Sequence, residues 1–388
     1  MRACMVAYAF YDSDNRVRRY AETLARRGDH VDAISLRQEG QKSFDNVNGV
    51  NVFRIQERER NEKGKFSYFE RLLKFLIKSA IFISRKHLRK PYDLIHVHSV
   101  PDYEVFAAFL PKLSGAKIIL DIHDIVPELY ASKFGKEKNS LLYKGLLFLE
   151  KASVWFADHV IIANHIWEKT LVSRSVNQEK CSTILNYPDP SLFHLRQKNG
   201  NKDKIVIMYP GTLNWHQGLD IAVKAFNVIK EEAPEAEFHI YGDGVQKVFL
   251  AGLIGELELT DRVLLKEFLP LDQIANVMAT ADIGIVPKRN DSFGGEAFST
   301  KTLEFMSLGV PIIVSRTKID SYYFDDSVVK FFEPENVNDL ADAMLTLIKD
   351  QNQRKIQFQN ALHFVDNFRW DRRKDEYLDL TDRLVCEK

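Results

Sequence analysis

Glu296, Lys301 and Glu304 bring two carboxylates and an ammonium close together in "GGEAFSTKTLEFMSLGVPII", residues 294–313. Ser299 is placed to cap a helix running to Ser307 or Leu308, with Gly309 as its stop and Pro311 opening the next strand. On that helix Lys301 and Glu304 lie one turn apart on a shared face, while Leu303 and Met306 turn towards a core. Glu296 precedes the helix, in the Gly294-Gly295 loop at the positive end of the helix dipole. Free N–H groups and an ammonium in that place suit phosphate, and a carboxylate one turn further in accepts hydrogen bonds from sugar hydroxyls. A charged first turn facing water has the same composition, so the segment alone leaves both readings open.

A second set of groups sits at strand ends. His96 and His98 alternate in "LIHVHSV", and His123 and Asp124 close "KIILDIHD". Alternation along a strand favours a packing role for His96 and His98. Gly242 and Gly244 in "YGDG" fit a turn at which the chain approaches a flat base closely, and equally a simple turn.

The elements around these residues alternate. "ACMVAYAF", "HVDAISL", "LIHVHSV", "KIILDIHD" and "HVIIAN" are strand-like, with helical stretches between most of them. After the polar stretch "HLRQKNGNKDK" a second series begins, with strands "IVIMYPG", "EFHIYGDG", "RVLLKEF", "DIGIVP" and "PIIVS" separated by helical segments. That order predicts parallel strands joined by helical crossovers, in an α/β chain of two doubly wound, Rossmann-like domains facing across a cleft. The expected domains are residues 1–195 and 203–365, and 366–388 forms a C-terminal helix that packs back on the first. Ligands of such sheets bind outside the carboxyl ends of the strands.

Composition bounds the function. A chain of 388 residues exceeds the usual size of one core, and 54 Lys plus Arg balance 54 Asp plus Glu, so no global field argues for nucleic acid. Cys4, Cys181 and Cys386 are three, far apart, which excludes a disulfide framework and a thiolate metal cluster. No carboxylate pair is placed convincingly for a metal, and no obligatory cofactor or metal is expected. The start reads as a strand rather than a secretory signal, and no segment is long and apolar enough to predict a membrane span.

With Glu296, seven intervening residues and Glu304, followed by "FMSLGVPII", the chain resembles retaining glycosyltransferase family 4 and its GT-B fold. "LIHVHSVPD", "ILDIHD", "ILNYPDPSLF", "YPGTLNWHQGLDIAVKAF", "HIYGDG" and "IVPKRNDSFGGEAF" match in the same order. The resemblance implies a nucleotide-sugar donor on the C-terminal domain and a glycan or lipid-linked acceptor on the N-terminal one. It implies that Glu304 binds the ribose, that Glu296 faces the donor sugar, and that His123 lies beside the transferred sugar. Gly211, Thr212, Gly242, Gly244, Gly295, Ser299 and Thr300 are then donor-binding positions, and Asn15, Arg16, Asp124 and Glu128 lie on the acceptor side. Two family cations are missing, since their positions read Thr212 and Gln217. Lys301 is the expected substitute, with Lys288, Arg289 and His216 behind it.

Between residues 63 and 90 the chain carries nine Lys or Arg and one acid, Glu70. At 100° per residue, Phe69, Leu72, Leu73, Leu76, Ala80 and Ile83 share one face, and Phe75 and Phe82 fall beside a basic one. The pattern predicts a peripheral contact with an anionic membrane, at the cytoplasmic face of the plasma membrane, in surface polysaccharide or glycolipid assembly. A helix packed on a core with a solvated basic face has the same pattern. A GT-B nucleotide-sugar epimerase and a non-catalytic nucleotide-sugar-binding protein are the alternative functions.

Overall fold

The computed structural model describes residues 1–58, 65–134, 140–196 and 204–386. The chain forms two compact units. The first comprises Met1–Asn186 together with the residues from Lys374 onwards, and the second is Tyr187–Arg373.

The strands of the first unit are β1 (Arg2–Ala7), β2 (His30–Arg37), β3 (Phe44–Val47), β4 (Val50–Glu57), β5 (Leu94–His98), β6 (Lys117–Ile122), β7 (His159–Ile162) and β8 (Cys181–Thr183). They lie in the order β3-β4-β2-β1-β5-β6-β7-β8, all parallel except β3. Its helices are α1 (Asn15–Arg27), α2 (Lys65–Arg89), α3 (Phe109–Leu113), α4 (Val126–Phe134), α5 (Leu141–Phe156) and α6 (His165–Arg174). β1, β5 and β6 are buried almost throughout, as strands covered on both faces must be.

The second unit holds β9 (Ile205–Pro210), β10 (Ala236–Tyr241), β11 (Val263–Lys266), β12 (Ile283–Val286), β13 (Ile312–Ser315) and β14 (Lys330–Phe332), in the parallel order β11-β10-β9-β12-β13-β14. Its helices are α7 (Leu219–Ile229), α8 (Lys247–Glu256), α9 (Leu271–Met278), α10 (Thr300–Ser307), α11 (Lys318–Tyr323), α12 (Val337–Lys349) and α13 (Gln351–Asp366). The last helix, α14 (Trp370–Cys386), starts in the second unit and continues in the first. One core cluster joins Ile207, Phe226 and Phe238, and another joins Phe193, Phe305, Met306 and Val310.

The unit boundary differs from the expected one. Residues 187–195 belong to the second unit, because Phe193 is part of its core and the Pro188 carbonyl accepts from Trp370 N at 3.2 Å.

The phase of α2 also differs. Leu72, Phe75 and Ile83 are its core residues, and Phe75 meets Tyr8 edge-on at 5.2 Å. Phe82 packs on Phe53 at 4.8 Å, under Lys86. Phe75 and Phe82 are therefore not available to a bilayer. The apolar stripe that faces water is instead Phe69, Leu73, Ile77 and Ile81, at four-residue spacing. Residues 63 and 64 of the basic stretch lie outside the described residues.

Candidate active site

In the second unit the loops at the carboxyl ends of β9, β10 and β12 meet the start of α10. Gly211 N donates to Tyr241 O at 2.8 Å, and Leu213 N to Asp243 O at 2.9 Å, zipping the loops after β9 and β10 together. Glycine is required where they touch. A Cβ on Gly242, at φ +149, would overlap the Gly211 carbonyl oxygen. A Cβ on Gly211, at φ +143, would collide with the Lys301 side chain. Gly244 lies as close to Leu213, and Thr212 offers its carbonyl to Tyr209 Oη at 3.0 Å.

Lys301 thus runs along the backbone at the end of β9, with its ammonium 5.3 Å from the Tyr209 ring centre. Burial lowers its proton affinity below that of an ordinary lysine; Glu304 opposes this and Lys288 adds to it. Among the described residues it forms no ion pair within 4 Å.

The other cations after β12 are occupied. Lys288, 3% exposed, pairs with Asp320 at 2.8 Å and donates to Ala297 O at 2.7 Å, which pins the loop carrying Glu296. Arg289 donates from one terminal nitrogen to both Asp220 carboxylate oxygens at 2.7 Å, reaches Glu335 at 2.9 Å and lies over the Trp215 ring. His216 is half-buried edge-on to Phe293, and burial holds it towards the neutral form. Expected as phosphate cations, Lys288 and Arg289 are held by carboxylates, and His216 contributes no assured charge.

Ser299 stands at the N-cap of α10 but its side chain makes no capping bond, contrary to expectation. Its Oγ, and that of Thr302, are buried without a partner. Gly295 N is consumed by Asp291 O at 2.9 Å, so this loop does not offer that N–H to a ligand. The first N–H groups of the helix, at Thr300 and Lys301, have no intrahelical carbonyl to reach, and with Ser299 and Lys301 they make a corner of donors of the kind that suits an anion. Glu304 is half-buried one turn in. Glu296 bonds Lys318 Nζ at 2.7 Å, and Ile319 N donates to Gly295 O at 3.0 Å. Lys318 was not legible, because it stands 22 residues away behind a strand.

The first unit gathers a different set. The register of β5 on β6 pairs His98 with Asp121, and alternation puts His96, His98, Asp121 and His123 on one face. Arg16, from the first turn of α1, forks onto Asp121 with Nε at 2.8 Å and a terminal nitrogen at 2.7 Å. His98 Nδ1 and His123 Nε2 each lie 3.1 Å from Asp121 Oδ2. His96 Nδ1 lies 2.9 Å from the Tyr377 hydroxyl of α14. The Arg16 guanidinium and His123 hold the Asp121 carboxyl well below the usual carboxylate range against its burial.

Arg16 is therefore not presented to an acceptor, since its charge neutralises Asp121. Glu128 is likewise taken, by Arg174 at 2.6 and 3.0 Å and by Tyr143 Oη at 2.8 Å. Asn15 and Asp124 remain half-buried, and burial raises the Asp124 carboxyl. His96, His98 and Asp121 bring metal-ligand atom types within 4.8 Å of one another. The guanidinium already clamped on Asp121 would repel a cation there, so the donor set does not fit a metal.

Two family models divide the chain. One for glycosyl transferases group 1 matches residues 193–364, and one for the glycosyl transferase 4-like domain matches residues 13–186. The chain is 25% identical over 273 residues to the phosphatidylinositol N-acetylglucosaminyltransferase gpi3 subunit of Schizosaccharomyces pombe, covering 70% of this chain and 56% of that one. It is 26% identical over 316 residues to the O-antigen biosynthesis glycosyltransferase WclY of Escherichia coli, covering 78% and 82%. Among solved structures, sucrose-phosphate synthase from Thermosynechococcus elongatus superposes with a TM-score of 0.82 at 19% identity, with full coverage of both chains.

Proposed function

Because the chain belongs to the GT-B glycosyltransferases that join a 4-like domain to a group 1 domain, we propose that it moves a sugar from a nucleotide-sugar donor to a glycan or lipid-linked acceptor hydroxyl, with retention, in surface polysaccharide assembly. The second unit takes the donor. Lys301 beside Gly211, at the open start of α10, is the observation that carries this reading, because it sets a cation with no ion pair among the described residues where a pyrophosphate would meet the first N–H groups of the helix. Glu304 takes the ribose hydroxyls, and His123 is the first unit's group for handling a sugar hydroxyl.

The step breaks the bond from the sugar's anomeric carbon to phosphate and forms one from that carbon to the acceptor oxygen on the same face. The acceptor proton passes to a departing phosphate oxygen, and the protein supplies orientation and charge stabilisation. Glu296 is a weaker choice as covalent nucleophile, since Lys318 already bonds its carboxylate. It orients the sugar.

The roles are separable. Glu304→Ala is expected to weaken free nucleotide and donor together by about 1–3 kcal/mol, the cost of lost charge-assisted hydrogen bonds. Glu296→Ala should leave nucleotide affinity intact and lower turnover. Calorimetry with UDP, GDP and dTDP reads both, and an equal loss of nucleotide affinity in the two variants contradicts the division.

The acceptor side of the reading rests on the helical layer formed by α2, α3 and α5, which we place on the cytoplasmic face of an anionic membrane. No described helix is long and apolar enough to cross a membrane. Outside the α2 stripe, Leu113 is 73% exposed, Phe148 70% and Trp155 79%. Lys74 and Arg85 of α2 and Lys144 and Lys151 of α5 are exposed as well, a composition suited to lipid headgroups with shallow aromatic insertion. Lys78 is not part of that surface, because it donates to Ile55 O at 3.2 Å. Changing Lys74, Arg85 and Lys144 to Gln should reduce binding to anionic vesicles roughly a hundredfold, at about 1 kcal/mol per charge. Co-sedimentation that is equal for wild type and variant removes the membrane from the proposal.

A further inference from the structure

Building on the sugar-handling role proposed for His123, we propose that Asp121 and Arg16 are positioning residues that fix His123 as its Nε2–H tautomer. The Nδ1 lone pair then faces outward, and its partner on the substrate is a hydroxyl rather than a phosphate or carboxylate oxygen. Nothing in the local sequence around "DIHD" specifies this, since Arg16 lies 105 residues from Asp121.

The assignment follows from donors and acceptors. Asp121 is fully buried and ionised beside Arg16, so its oxygens only accept. His123 Nε2 lies 3.1 Å from Oδ2 and must carry the proton, because a bare nitrogen there would face a carboxylate lone pair. His98 competes for the same oxygen, with Nδ1 at 3.1 Å, and lies 3.2 Å from His123 Nε2. The Nε2 of His98 is buried without a partner. An unmatched lone pair costs less than an unmatched N–H, so the proton of His98 also sits on Nδ1 and points at Asp121. Two N–H groups converge on one oxygen only if it bears full charge, and Arg16 Nε, at 2.8 Å from that atom, secures the charge.

The floor of the array is rigid. His96 stacks on His98 with ring centres 4.2 Å apart and is tied through Nδ1 to Tyr377, which itself packs 4.3 Å from Tyr20. His96 and His98 are buried, while the His123 side chain keeps 22% exposure. A ring held through Nε2 presents Nδ1 to whatever binds. In its neutral form that atom accepts a hydrogen bond and repels an anionic oxygen.

The test needs no donor. Imidazole proton–nitrogen correlation spectra of the uniformly nitrogen-15-labelled wild-type protein, with the His123 signals identified by their loss in His123→Gln, should show Nε2 protonated and Nδ1 bare. A protonated Nδ1, or an averaged mixture of tautomers, overturns the proposal. Asp121→Asn should then mix the tautomers and lower turnover about 10–100-fold per molecule with a folded first unit, counted by hydrogen-exchange protection of β5 and β6, with nucleotide affinity unchanged. A purely structural role for Asp121 would reduce the folded fraction and leave turnover per folded molecule at the wild-type value. If the wild type turns over no donor, the proposed transferase reading fails while the tautomer measurement still stands.

Discussion

Lys301→Ala is expected to lower turnover about a hundred- to a thousandfold while changing donor affinity far less. Charge on the leaving phosphate grows towards the transition state, and preorganised donors aimed at such charge account for losses of that size when removed. The site offers little compensation: Lys288 is bound to Asp320, Arg289 to Asp220 and Glu335, and His216 is held towards neutrality. Steady-state kinetics on the donor that proves active reads the effect. Near-normal turnover would move the role away from α10. The ammonium also sets a pH limit. Its proton affinity is lowered, chiefly by burial, so the cation is lost at a lower pH than for an ordinary lysine. Activity should fall on the alkaline side below the usual lysine range, and Lys301→Arg, which stays charged, should abolish that fall.

Arg16→Met is expected to destabilise the first unit by about 3–5 kcal/mol near neutral pH, the usual result of stripping one partner from a buried ion pair. Asp121 would lose its fork and keep only the two histidine contacts at Oδ2. The sign with pH is definite. Asp121 is depressed in the folded wild type, so its contribution is present above the unfolded carboxylate range and lost as pH falls through the folded value. In the variant the carboxyl shifts upward and protonates more easily, so the gap between variant and wild type should narrow towards acid. Urea unfolding followed by hydrogen exchange in β5 and β6, at pH 7 and pH 5, measures it. A gap that widens towards acid would mean that Arg16 does not hold Asp121 ionised.

What the sequence reveals depends on whether a signal is local. The strands that run through the sheet centres are legible as short apolar runs, because both faces are covered, and glycines or prolines punctuate their ends. The hairpin of β3 and β4 escapes that reading because β3 is mostly exposed and polar. Its signal is the turn, where Asn48 and Gly49 take φ of 51° and 86°, as a two-residue hairpin loop demands. The helix α2 misleads in phase: Phe69, Leu72, Leu73, Phe75, Leu76 and Ile77 are apolar nearly all round, and only packing against Tyr8 and Phe53 decides which side is core. At the site, Glu296, Lys301 and Glu304 are legible because they share one turn and its approach. Partners recruited from other elements are not, and Lys288 to Asp320, Glu296 to Lys318 and Arg16 to Asp121 depend on strand order and register.

The central claim is sugar transfer from a nucleotide sugar with retention. It is tested most directly by incubating the protein with UDP-, GDP- and dTDP-sugars and a lipid extract, and by proton NMR of the anomeric signal of the product alongside nucleotide release. Transfer with retention predicts that one donor releases nucleotide in step with a new glycosidic product of the donor's own anomeric configuration, and that Lys301→Ala suppresses both. A product of inverted configuration would contradict retention, and interconversion of the donor with no acceptor modified would instead mark a nucleotide-sugar epimerase.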